Sequence, residues 1–371
     1  MRTEYIKKLT ILMQEAGMDA ILISPGEELT FFTGFSPMMC ERFQGLFVKA
    51  DGRTFYICNL LYGDQMREEL GADVPVFTWF DNEEMTDVVD GILEQEDLKG
   101  KVIGVNSSAQ AFNVLDIAEC SGVTFRNAKP VLEEVRIHKS LEEQEYLRQS
   151  AAIADAVFQE ALGFIRPGLT EGQIMDFLFE GMQKRGATFV EAIVASGPNA
   201  SYPHYEGRDR VIQEKDIVLL DYGCAFHEMM SDMSRTVFVG GISEEEKNLY
   251  DLVERANAAS EAMAVEGAWI PDIDKAARTV LDEQDLAKTL INRVGHGIGY
   301  STHEGPYIKQ TNHRRLERGM AFSIEPGVYI AGKVGMRLED IVMINDKGET
   351  EILNKSPREP QIVCPLKEYH G

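Results

Sequence analysis

Apolar runs that end in an acid constrain this chain more than any other feature. "IVLLDYG" carries Asp221, "MAFSIEPG" carries Glu325, and "MRLEDIVMI" is interrupted by Glu339. Each run has the length and composition of a buried strand. A carboxylate at such a position costs free energy unless it is paired or holds a cation. Taken singly, each acid reads as a turn cap or the partner of an arginine. Three of them in one half of the chain point instead to a shared site. Asp232, in "MMSDMSRT", follows Asp221 by eleven residues and extends the set.

The stretch "RVGHGIGYSTHEGPYI" adds two of the chain's seven histidines, His296 and His303. Gly295, Gly297 and Gly299 each weaken a helix by about 1 kcal/mol relative to Ala. On one flat strand the odd spacing would turn the two rings to opposite faces. The glycines therefore predict bent backbone that something approaches closely. The bland reading, two surface histidines on a loop, stays open from this stretch alone.

Four carboxylates and one imidazole form a hard, oxygen-rich donor set. It suits Mn²⁺, Co²⁺ or Zn²⁺ in a paired site better than a thiolate-bound structural zinc. Two ions about 3.5–4 Å apart acidify a shared water, which predicts a hydrolase. The five cysteines, Cys40, Cys58, Cys120, Cys224 and Cys364, are odd in number and lack C-x-x-C spacing, against a disulfide framework. With 37 basic and 61 acidic residues, the formal charge of −24 disfavours nucleic acid as a partner. No apolar run is long enough to span a bilayer, and "MRTEYIKKLTILMQEAGMDAILIS" reads as helix then strand rather than a leader. The expectation is a cytoplasmic protein without a membrane partner.

At 371 residues, 44% of them hydrophobic, the chain has room for two domains. Residues 1–128 alternate strand and helix patterns: "LFVKADGRTFYIC" reads as a hairpin around Asp51-Gly52, and "KVIGV" precedes an amphipathic stretch from Gln110 to Ala118. That predicts a small α/β domain. Residues 129–140 read as a linker. Ser140 with Glu143, Thr170 with Gln173 and Ser243 with Glu246 make capping boxes. They predict helices from Leu141 to about Gly163, from Thr170 to near Gly186, and from about Glu244 to Val265. Residues 141–371 thus combine long helices with a curved sheet, an α+β domain. His138, His227, His313 and His370 lack a motif and read as surface residues. Met229 and Met230 read as core or pocket wall, and Gly34 as a turn.

"VASGPNASYPHY", "LLDYGCAFHEMMSDMSRT", "GHGIGYSTHEGP", "SIEPGVYI" and "RLED" occur in this order, and "LTFFTGF" and "VRIHKSLEEQEYLRQSA" precede them. Together they resemble the pita-bread metallopeptidases (family M24), most closely the Xaa-Pro dipeptidase (prolidase) and aminopeptidase P branch. The resemblance implies a pita-bread catalytic domain, a curved antiparallel sheet covered by helices, behind a smaller creatinase-like α/β domain. It implies two divalent metals, Mn first, held by Asp221, Asp232, His296, Glu325 and Glu339, with Asp232 and Glu339 bridging. Glu325 would take the proton of the attacking water. His303 would bond the scissile carbonyl, His204 would lie on the substrate side, and Arg337 would organise the site. The implied substrates are small peptides with proline second, and the implied assembly is a homodimer.

Two departures bear on substrate choice. Asn292 stands where the family often has a histidine, and Glu228-Met229 replaces a usual Gly-Tyr. Alternatives remain: aminopeptidase P acting on longer peptides, a creatinase-like hydrolase working without metal, or a silent peptide-binding scaffold. The intact carboxylate set argues against the last two, and the extra N-terminal domain argues against methionine aminopeptidase.

Overall fold

Ile6, Leu9 and Met13 recur at helical spacing, and all three are buried on the helix Thr3–Glu15. The computed structural model describes residues 1–365, and the chain divides into two compact units at Arg136/Ile137. Among the described residues no helix is long and apolar enough to cross a membrane.

The first unit is a six-stranded mixed sheet. Its strands are β1 (Ala20–Ile23), β2 (Gly45–Lys49), β3 (Thr54–Asn59), β4 (Val76–Trp79), β5 (Val102–Val105) and β6 (Thr124–Asn127). They lie in the order β4-β3-β2-β1-β5-β6. Strands β2 and β3 form the hairpin expected around Asp51-Gly52, while β1 and β5 are parallel, joined through intervening helices. All four residues of β1 are buried, as a strand covered on both faces requires. Leu22, Phe47, Phe55, Ile57, Trp79 and Ile103 share one core.

Most of the stretch read as a linker is helical. Lys129–Arg136 is a helix of this unit, because Leu132 and Val135 are buried one turn apart and Lys8 Nζ donates to the Val135 carbonyl at 2.8 Å.

In the second unit the capping boxes at Ser140, Thr170 and Ser243 open helices Leu141–Phe164, Glu171–Gln183 and Glu244–Met263. A fourth helix, Ile270–Asp282, has Trp269 at its N-cap with no side-chain cap. The capping signal that marked the other three is absent there.

Two five-stranded sheets run between these helices. The first contains β7 (Phe189–Ser196), β8 (Ile217–Phe226), β9 (Met229–Met230), β10 (Met233–Val239) and β18 (Gln361–Val363), in the order β18-β10-β8-β7 with β9 paired to β8. The second contains β11 (Gly295–Gly297), β12 (Glu304–Ile308), β13 (Ala321–Ile324), β16 (Asp340–Ile344) and β17 (Thr350–Ile352), in the order β12-β11-β13-β16-β17. Strands β14 (Gly327–Ile330) and β15 (Val334–Arg337) form a separate hairpin. An isolated bridge, Ser234 to Glu339, stitches the two sheets together.

Each sheet packs against its own helix pair. Val157, Phe158, Ile174 and Leu178 meet Val218, Leu220 and Val237 under the first sheet. Val253, Ala256, Ile273 and Ala277 meet Phe322, Ile324 and Val342 under the second. Each of the larger side chains, Val, Leu, Ile or Phe, contributes about 1.5–3 kcal/mol on burial. The two cores therefore fix where the two sheets meet.

Candidate active site

The meeting line of the sheets gathers the acids. Asp221 lies within β8, opposite Ile193 of β7 and Ser234 of β10. Asp232 follows β9, which returns from β8 through His227 and Glu228, both at positive φ. His296 is the centre of β11, Glu325 follows β13, and Glu339 sits between β15 and β16.

The glycines beside His296 are explained by the chain itself. A Cβ on Gly295 would lie 1.9 Å from the Ser323 carbonyl oxygen, and one on Gly297 2.0 Å from that of Gly305. Only glycine lets β11 sit this close to its neighbours. Strands β11 and β12 pair as an irregular hairpin rather than one flat strand, so His296 and His303 come together. Their rings are perpendicular with centroids 4.2 Å apart.

Asp232, His296 and Glu339 are buried, and each offers one ligand atom within 4.8 Å of the other two. His296 Nε2 is 3.6 Å from Asp232 Oδ2, 3.4 Å from Glu325 Oε1 and 4.0 Å from Glu339 Oε1. Its Nδ1 faces the Gly297 carbonyl at 3.1 Å. A carbonyl only accepts, so the proton belongs on Nδ1 and the Nε2 lone pair faces the acids. Burial, followed by the charges of His303 and Arg293, holds His296 well below the usual imidazole range. Glu339 Oε2 accepts from Ser234 Oγ at 2.6 Å, while its Oε1 is buried without a hydrogen-bond partner.

Asp221 stands apart from that trio and pairs with Arg337. Arg337 is buried and donates from Nε to Ser234 Oγ and from Nη1 to Tyr329 Oη, each at 2.7 Å. One guanidinium thus ties Asp221 to the Ser234–Glu339 link. It cannot neutralise four carboxylates. Burial first, then repulsion from Glu339 and the other acids, pushes Asp232 well above the usual carboxylate range. Burial first, then Glu325 and Asp221, does the same to Glu339. Glu325 is raised to about 7, again chiefly by burial. The cluster needs either protons or cations. An unpartnered buried carboxylate oxygen and a bare imidazole nitrogen, converging among further acids, fit a divalent metal.

These residues floor a cleft of about 650 Å³ whose walls include His204, His303, Asn292, Arg293 and Glu191. His204 and His303 are exposed to it. Partial desolvation, then the charge of Arg293, lowers His303 below the usual imidazole range. Asn292 Nδ2 donates weakly to Glu325 Oε2 at 3.4 Å. His227 and His313 are exposed and His138 half-buried, and none is among the cleft-lining residues. His370 lies outside the described residues. Met229 and Met230 are buried in a core cluster.

Sequence reasoning passed over Ser234, Tyr329 and Glu191. Ser234 and Tyr329 hold Arg337, and Glu191 accepts from Thr302 Oγ1. Glu191 sits two residues from Ile193 on β7, so the period-2 alternation of that strand was the available signal.

Fold and site together define a metal-type acidic cleft on a unit of mainly antiparallel sheets, in which only β18 joins its neighbour β10 in parallel among the described strands, preceded by a mixed-sheet unit. The chain belongs to metallopeptidase family M24, whose model matches residues 145–346, with a Creatinase/Prolidase N-terminal domain over residues 6–138. It is therefore a metal-dependent peptidase, a hydrolase. A protein described as a probable dipeptidase, PepE, from Mycobacterium bovis is 33% identical, covering 95% of this chain and 94% of the relative. An Xaa-Pro dipeptidase of Pyrococcus furiosus is 30% identical, covering 96% of this chain and 99% of its own. The crystal structure of a prolidase from Thermococcus sibiricus superposes with a TM-score of 0.89 at 30% identity, over 96% of this chain and 98% of that one.

Proposed function

We propose that the chain hydrolyses the peptide bond before proline, preferring Xaa-Pro dipeptides. Asp221, Asp232, His296, Glu325 and Glu339 would hold two divalent ions, Mn²⁺ foremost, with Asp232 and Glu339 shared between them. The observation that carries this reading is the convergence of buried, under-partnered acids on a bare imidazole nitrogen at the floor of a cleft. The names of the Pyrococcus and Thermococcus relatives support the choice of bond.

When bound, such ions polarise a carbonyl and acidify a shared water. The chain's own residues do the rest. Glu325 accepts the proton from the attacking water and delivers it to the departing imide nitrogen. His303, perpendicular to His296 at the cleft, donates to the carbonyl oxygen as it gains negative charge. His204, on the loop after β7, contacts the substrate from the cleft wall. Arg337 keeps Asp221 and the Ser234–Glu339 link in register. Proline's nitrogen carries no N–H and its ring fixes φ, so a dedicated peptidase is needed for this bond.

The test compares kcat/KM on Xaa-Pro dipeptides and on Xaa-Pro-Yaa tripeptides, with Mn²⁺, Co²⁺ and Zn²⁺ in turn. The proposal expects the dipeptides to be preferred. A strong preference for tripeptides would move the reading to aminopeptidase P, and inertness toward both would reject the proline bond altogether.

A further inference from the structure

The third glycine of "GHGIG" makes room for something other than neighbouring backbone. A Cβ on Gly299 would lie 2.3 Å from Cε of Lys139, 2.8 Å from its Nζ and 2.7 Å from Glu304 Oε1. The space is taken by an ion pair. Lys139 Nζ donates to Glu304 Oε1, and the two side chains are 0% and 1% exposed.

The pair is anchored on both sides. The Lys139 N–H donates to the Gly319 carbonyl at 2.7 Å, and Gln144 Nε2 donates to the Lys139 carbonyl at 3.0 Å. The other oxygen of Glu304 accepts from the Ser301 N–H at 3.4 Å. Gly299 N–H reaches the Ser301 carbonyl at 3.2 Å, and the Met230 N–H donates to the Gly299 carbonyl at 2.7 Å. His303 immediately precedes Glu304. The turn 299–304 is thus held from beneath by one ammonium, and is bonded to the segment that leads into Asp232.

Replacing a buried ion pair with apolar groups of equal volume is commonly neutral or stabilising. Stability alone therefore gives no reason for this pair to lie here. A turn that must present a catalytic ring within a fraction of an ångström does give one. We propose that Lys139 and Glu304 are positioning residues for the reaction, setting the turn 299–304 so that His303 stands in the cleft against His296. The inference rests on the reading of His303 as the donor to the substrate carbonyl.

The experiment uses the full chain loaded with Mn²⁺ and an Xaa-Pro dipeptide. Lys139→Met should lower kcat by about 10–10²-fold, the scale of a small misplacement, with KM within about threefold. Because a buried carboxylate that has lost its ammonium can unfold the variant, Lys139→Met/Glu304→Gln is made alongside; it keeps volume and removes both charges. Mn²⁺ content, read by elemental analysis, should stay at the parent level in both.

The deciding readout is the same pair of substitutions made in His303→Ala. If the pair acts through His303, the loss of kcat there should shrink to less than about twofold. Equal losses in both backgrounds, or no loss when His303 is present, would overturn the inference while leaving the role of His303 standing. A His303→Ala variant that turns over as fast as the parent would sink the reading of His303 itself, and this inference with it.

Discussion

His296 and His303 share a hairpin and nearly touch, yet their surroundings assign them different work. His296 is buried with Nδ1 on a carbonyl and Nε2 among three carboxylates, whereas His303 is exposed to the cleft. His296→Ala should therefore lose divalent ions and activity together. His303→Ala should keep its ions and lose about 10²–10³ in kcat, the usual cost of one oxyanion donor. Elemental analysis beside steady-state kinetics distinguishes them, and metal loss in both variants would make both histidines ligands. Asp221, Glu325 and Glu339 drew attention because each is an expensive residue in an apolar run, whereas the histidines stood out only by the glycines around them and by the family resemblance. Arg337's partners were not. Ser234 and Tyr329 are unremarkable in a strand, and only the fold brings them to one guanidinium.

Among the elements, hairpin β11–β12 bears a severe steric constraint. A methyl group on Gly297 would meet the Gly305 carbonyl at 2.0 Å, so one strand must move or the pairing must break. Gly297→Ala is expected to destabilise the chain by about 4 kcal/mol or more, the range of severe steric lesions, and to lower metal content. Ser243→Ala is the contrasting case: it removes the exposed capping bond from the Glu246 N–H and the hydroxyl's bond to Glu246 Oε2, costing about 1 kcal/mol and leaving activity unchanged. Urea titration and metal analysis check both, and a Gly297→Ala variant with parental stability would refute the packing argument. The capped helices could be read because a serine or threonine and a glutamate or glutamine three residues apart report a local bond. The glycines announced a close approach without saying to what, since the partner backbone lies 8–28 residues away (Gly297 to Gly305, Gly295 to Ser323). Helix Ile270–Asp282 carries its apolar face at Ile270, Ile273, Ala277 and Leu281, but its start has no side-chain cap, and Pro271 in the first turn is a weaker mark than a capping box.

For the molecule as a whole, the acid cluster couples folding to pH and to metal. Without metal, Glu325 is raised to about 7, and Asp232 and Glu339 lie well above the usual range. An unfolded carboxyl titrates near about 4. Between roughly pH 4.5 and 7 the native metal-free chain holds protons that the unfolded chain has lost. This contribution to stability is therefore full at low pH and is lost as pH rises through that window. Divalent ions replace those protons, so their binding should release protons and stabilise more at high pH. The rise in Tm on adding Mn²⁺ should be larger at pH 8 than at pH 5.5. An equal rise at both would place the ions away from this cluster. The sequence disclosed the donor chemistry and the presence of two domains, since both follow from local composition. It could not disclose that two separate sheets meet at Ser234–Glu339, because that contact joins residues 105 positions apart.

In the proposed mechanism the converging acids hold two catalytically required divalent ions. Its most direct test strips the purified chain with a chelator, verifies the loss by elemental analysis, and titrates Mn²⁺ back while following hydrolysis of an Xaa-Pro dipeptide. Negligible hydrolysis is expected in the stripped chain, with recovery that saturates at about two ions per chain and neither ion retained tightly in Asp232→Ala. Undiminished hydrolysis by the verified metal-free chain would contradict it.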